Sequence, residues 1–108
     1  MSKVKIVTFV PLDHADKVRK AFGDAGAGAL GEYSYCSYSV VGKGRFTPSN
    51  NAHPHIGEPG EPEVVEEERI EVICERDKAR EVVAAMKKVH PYEEVAFDII
   101  PLLDEDEL

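Results

Sequence analysis

The alternation of apolar and polar positions divides the chain into regular elements separated by one long irregular stretch. Residues 3–10 read KVKIVTFV, with Val4, Ile6 and Val10 on one face and Val7 and Phe9 on the other. Two apolar faces predict a strand in the middle of a sheet. Pro11 breaks it, and Asp13 is placed to cap a helix by accepting a free backbone N–H. Ala15, Val18, Ala21, Phe22 and Ala25 then recur at helical spacing, with Lys17, Arg19 and Lys20 mostly off that stripe. Gly26 and Gly28 end the helix, because glycine accepts positive φ.

Residues 33–41, YSYCSYSVV, alternate as a second strand, with Tyr33, Tyr35, Ser37 and Ser39 opposite Cys36, Tyr38 and Val40. Residues 42–62 are so dense in glycine, proline and asparagine that they predict a long loop. A third strand over 64–75 turns Ile70, Val72 and Cys74 to the core. Asp77 is the expected cap of a second helix, whose stripe is Ala79, Val82, Val83, Met86 and Val89 and which Pro91 stops. Residues 95–102 form the last strand. The order β-α-β-β-α-β predicts an α+β fold, a ferredoxin-like sandwich of an antiparallel sheet with two helices on one face. Residues 1–103 make one domain with a long loop at 42–62, followed by an acidic tail at 104–108. The sheet face without helices must be solvated or meet a partner chain.

Charge narrows the partners. Acidic residues outnumber basic ones 21 to 13 among 108 residues, a formal charge of −8. Such a surface repels phosphate backbones and anionic lipid headgroups, which excludes nucleic acid and membranes as expected partners. The run Glu66, Glu67 and Glu68 reads as solvated surface, as do the acidic residues of the tail. Cys36 and Cys74 give neither a disulfide framework nor a CxxC site. No signal peptide and no bilayer-length apolar run is visible, so a reducing, cytoplasmic setting is expected.

Four segments carry candidate chemistry. His90, Pro91, Tyr92, Glu93 and Glu94 gather ionisable groups at a helix-to-strand junction, as a ligand or metal contact or as a structural turn. His53 and His55 could share a cation with help from Glu58 or Glu61, or could be ordinary loop histidines. Gly42, Lys43, Gly44 and Arg45 resemble a short anion-binding turn, although a tight strand-end turn reads the same way. Cys36 lies among tyrosines, as a small core hydrophobe or, only if its pKa were lowered, as a nucleophile, and no basic residue is close to it in sequence. No nucleophile–base pair stands out; if there is catalysis, His90 with Glu93 or Glu94 is the acid–base pair to test.

The pattern as a whole resembles a known family. Gly26-Ala27-Gly28, Gly31, Tyr33, Cys36, Gly42, Gly44, Phe46, Pro48, Pro54, Ile56-Gly57, Gly60 and Glu63 carry the resemblance, with His90-Pro91-Tyr92-Glu93-Glu94 and Phe97-Asp98. Nearly the whole chain is similar to the insert domain of NGG-interacting-factor-three-like proteins of the YqfO type, standing alone. Those longer proteins carry a two-metal centre in flanking halves that have no counterpart here. The resemblance implies a fold related to CutA and PII-like proteins and a homo-oligomer, with a trimer favoured. It implies a regulatory or sensory module that binds a small ligand or divalent metal ion near clefts between subunits. With the residues themselves, this gives His90, Tyr92, Glu93, Glu94, Gly42, Gly44, Arg45 and Cys36 as the expected ligand residues and His53, His55 and His90 as the expected metal residues, of which His53 and His55 come from the loop sequence and not from the family pattern. An interaction domain that docks a partner protein is the alternative, and a small metal-assisted hydrolase the third reading.

Overall fold

The computed structural model describes residues 2–108. The first strand, β1 (Lys3–Pro11), lies inside a four-stranded antiparallel sheet of order β2-β3-β1-β4, with β2 at Tyr38–Phe46, β3 at Glu63–Glu75 and β4 at Phe97–Leu102. Helix α1 (Ala15–Asp24) follows β1, and α2 (Ala79–Val89) follows β3. This is the expected β-α-β-β-α-β order.

Pairing fixes which side chains share a face. On β1 and β3, Val4 lies opposite Cys74, Ile6 opposite Val72 and Thr8 opposite Ile70. All six are buried. All but Thr8 meet Val18 and Phe22 of α1 and Val82 and Met86 of α2 in one hydrophobic core. Both helices therefore cover the same side of the sheet, and the apolar stripes read from the sequence are the faces they bury. Alternation sends Phe9, Glu67, Arg69, Glu71 and Ile73 to the opposite, open face, joined by Tyr38, Val40, Gly42 and Gly44 from β2. Tyr38, Val40, Ile73 and Ile100 are each at least 40% exposed there.

Several local expectations need correction. Neither Asp13 nor Asp77 caps its helix with a side-chain hydrogen bond; each sits inside a short 3-10 turn, Leu12–His14 or Arg76–Lys78, that leads into the helix. Asp13 instead contacts the His14 ring, Nδ1 to Oδ1, at 2.9 Å. The end of α1 is as read: Gly26 has φ 101°, and the Ala27 amide donates to the Phe22 carbonyl.

The second strand is displaced by five residues from the expected 33–41. Tyr35 takes a positive φ of 58°, which an extended run cannot contain. Its ring covers Gly23, where a Cβ would come within 1.9 Å of the ring, and its hydroxyl donates to Asp24 at 2.6 Å. The strand then runs through Gly42-Lys43-Gly44-Arg45, paired with residues 64–67 of β3. Those four residues are therefore neither a turn nor a backbone nest, since their peptides belong to a sheet ladder. The irregular stretch begins after Phe46 and contains no strand of its own. It is closed at its neck by the Gly60 amide, which donates to the Pro48 carbonyl at 2.6 Å. The acidic tail includes a 3-10 turn, Glu105–Glu107, with a reciprocal capping box between Asp104 and Glu107.

Candidate ligand cleft

The long loop folds over the open sheet face and meets the segment after α2. Between them lies a cleft of about 790 Å³. Its walls are mainly apolar, with Phe9, Val40, Phe46, Pro54, Ile56 and Ala96 among them. Tyr92, Glu93, Glu94, Gly42, Gly44 and Arg45 all line it too. Two segments chosen from sequence alone, fifty residues apart, thus come together at one place. A cavity of this size and composition is typical of small-molecule sites.

The junction after α2 is built by hydrogen bonds. The His90 side chain is buried, and its Nε2–H donates to the Phe9 carbonyl at 2.7 Å. The Tyr92 amide donates to His90 Nδ1 at 3.2 Å. One ring nitrogen donating and the other accepting defines a neutral imidazole. Burial lowers the His90 pKa, opposed by the Phe9 carbonyl and the nearby Glu67 charge. His90 therefore positions the cleft from behind and does not line it. Thr8 adds a second tie, its hydroxyl donating to the Ala96 carbonyl at 2.9 Å.

Tyr92 carries the network to the sheet. Its hydroxyl donates to Glu67 Oε2 at 2.6 Å. Burial, and then this bond to a carboxylate, push the phenol pKa well up, so it remains a donor at neutral pH. Glu67 corrects the reading of residues 66–68 as a solvated run: it is 8% exposed and lines the cleft. It fits because Gly44, beside it on β2, has no side chain; a Cβ there would lie 1.9 Å from Glu67 Oε1. Glu68 points to the helix side, where it pairs with Arg19.

Loop and junction are clipped together by Glu93, whose carboxylate accepts the His53 amide at 2.9 Å. His53 thus contributes its backbone. His55 packs edge-on against His14, with ring centroids 5.7 Å apart, and lies 6.4 Å from the Tyr92 ring. Of the expected metal residues His53, His55 and His90, the last has both ring nitrogens engaged in hydrogen bonds within the chain. Among the described residues, no group of three or more His, Cys, Asp or Glu side chains is arranged to hold a metal ion. Cys36 lies outside the cleft and before the strand in which it was expected; its amide donates to the Gly28 carbonyl at 2.9 Å. His14 and Glu67 escaped the sequence reading. The signal for Glu67 was Gly44, legible only once the two strands are in register.

The sheet order and the two helices on one face define a ferredoxin-like α+β domain. Its closer relatives are longer proteins. The chain is 50% identical over 106 residues to the GTP cyclohydrolase 1 type 2 homolog of Halalkalibacterium halodurans, covering 98% of this chain and 28% of that protein. The structure of a Bacillus cereus protein related to NIF3 superposes with a TM-score of 0.83 at 48% identity, over 95% of this chain and 26% of the other. The chain therefore resembles one domain-sized segment of the NIF3-like proteins and spans about a quarter of their length. The periplasmic divalent cation tolerance protein CutA of Archaeoglobus fulgidus matches in fold, with a TM-score of 0.70 at 20% identity over 94% of this chain and 85% of its own. No protein-family model matches the sequence. No helix among the described residues is long and apolar enough to cross a membrane.

Proposed function

We propose that the protein is a small regulatory or sensory module that binds an organic ligand in the cleft over the open face of its sheet. The observation that carries this reading is the cleft itself. It is largely apolar, bounded by a loop and a junction clipped to each other, and supplied with a few fixed polar groups at Tyr92, Glu67 and Glu93. The reading does not carry over the activity named for the longer relatives, since this chain matches 28% of such a protein. Both cysteines are free thiols, which fits a reducing, cytoplasmic compartment.

A thermal-shift screen against nucleotides, small metabolites and divalent metals, with a chelator control, tests the proposal. Binding to the native state raises the melting temperature by mass action. A rise with an organic class, abolished by Ile56→Glu in the cleft wall, is the expected result. A response confined to metals and reversed by chelator would move the site to the exposed histidines. No response across the panel would favour a docking domain.

A second observation supports self-association. Tyr38, Val40, Ile73 and Ile100 leave apolar surface on the face that no helix covers. A second copy of the chain, in a trimer with sheets facing inward, would cover that surface and place the cleft near a subunit boundary. Light scattering on a sizing column would then give a mass near three chains. A monomer at micromolar concentration would rule that assembly out.

A further inference from the structure

Glu67 is an unusual wall for an apolar cleft. Its residue surface is 8% exposed, its Oε2 is held by the Tyr92 hydroxyl, and its Oε1 has no hydrogen-bond partner among the described residues. Oε1 is not sealed in, however. Among the described residues, the one fully enclosed side-chain polar atom left without a partner is Glu75 Oε2. Glu67 Oε1 is therefore not fully enclosed, and it lies beside Gly44 in the cleft wall.

The neighbouring cations do not neutralise it. Arg69 shares the face, but its Nε donates to Glu71 at 3.0 Å and its guanidinium lies 5.8 Å from the centroid of the Phe9 ring. Lys43 and Arg45 also line the cleft from β2, where alternation turns their side chains towards the helix side, and among the described residues neither forms an ion pair with Glu67. A carboxylate held largely out of water with one oxygen unpaired is costly unless a donor completes it. An anionic ligand would add repulsion, and a purely apolar one would cover Oε1 without a donor.

We infer that the cleft selects ligands with a flat apolar body bearing a cationic or paired N–H donor group, an amidinium-like edge, which Glu67 accepts while Tyr92 holds the carboxylate in place. This rests on the reading of the cleft as a small-ligand site. The apolar walls take the body, and charge-assisted hydrogen bonds to a positioned carboxylate give the selectivity. Gly44 and Tyr92 act through Glu67: the first leaves room for the carboxylate, and the second fixes its orientation.

The test uses three probes of one size and shape: benzamidinium, neutral benzamide and anionic benzoate. Each is titrated into the protein while amide resonances of cleft residues are followed by NMR. The expected order is benzamidinium tightest, then benzamide, with benzoate at least tenfold weaker than benzamidinium. Glu67→Gln should remove at least tenfold of the benzamidinium affinity. Glu66→Gln makes the same charge change one residue along, on the opposite sheet face, and should leave that affinity within twofold. This control separates a local contact from the general pull of a chain with net charge −8. Benzoate binding as tightly as benzamidinium in the wild-type protein would overturn the inference while leaving the cleft a ligand site. Equal loss in both variants would overturn it too, by assigning the preference to net charge. Cleft resonances unmoved by all three probes would overturn the cleft reading along with it.

Discussion

On one side of the sheet, Ile6, Val10, Ile70 and Val72 meet Phe22, Val18, Val82 and Met86, and every one of these side chains is buried. On the other side, Val7 is fully buried, but its neighbours on that face include Lys5, Glu71 and Arg69, which form ion pairs at 3.0 Å. Ile73 and Ile100 remain open there. The same strands build both faces, so the difference lies in what each face is asked to do. Apolar packing against two helices supplies stability, roughly in proportion to the area taken from water. A face that mixes exposed apolar residues, ion pairs and one buried carboxylate contributes less to folding, which suits the binding role proposed for it.

That contrast can be attacked at several points. The largest effect is expected for Phe22→Ala, which opens a cavity in the helix-side core and should cost about 3–5 kcal/mol in chemical denaturation. An equal loss from Ile73→Ala in a monomeric sample would erase the distinction between the faces. Gly28→Ala should come next, at about 2 kcal/mol. Gly28 has φ 81°, and a Cβ there would meet the Cys36 carbonyl oxygen at 2.4 Å. Tyr92→Phe removes the donor to Glu67 and should cost about 1–3 kcal/mol, with the amide resonances of the cleft shifted.

Acidity gives a subtler handle. Burial holds the folded-state pKa of His90 below its ordinary 6.5. The unfolded chain therefore takes up its proton first, so the His90 contribution is complete above that value and is lost as the pH falls below it. Melting temperatures measured from pH 8 to pH 5 should show a decline whose His90-dependent part is at most about 1.4 kcal/mol per pH unit. His90→Gln should flatten that part of the profile. The smallest effect is expected for Ile73→Ala or Ile100→Ala, below about 0.5 kcal/mol in a monomer. A larger loss that depends on protein concentration would show that another copy covers the open face.

Much of the fold was legible because its periodicities are strong. The stripe Ala15, Val18, Phe22 and the alternation Ile70, Val72, Cys74 each state their burial directly. The second strand was misplaced for two physical reasons. Tyr35 looks like a strand residue but adopts a conformation set by its packing on Gly23. Gly42 and Gly44 look like turn formers but sit in a ladder, with Gly44 giving space to the Glu67 side chain. At the candidate site, the segment 90–94 was identifiable in the sequence as a cluster of ionisable groups. The roles within it were not, because the chain alone does not show that His90 faces Phe9 or that Tyr92 reaches β3. Glu67 was the least visible, since a buried glutamate flanked by two more has the local appearance of a charged surface.

The pairing of Lys3 with Leu102 sets the start of β1 beside the end of β4. A polypeptide that enters the sheet through β1 and leaves it through β4 thus passes through adjoining gates. The cleft lies towards the far end of the same strand, near Phe9, six residues or about 20 Å along. Fusing this domain into a surface turn of a larger host would add only a short loop closure to the host's entropy. The graft would sit on its stalk with its cleft end pointing away.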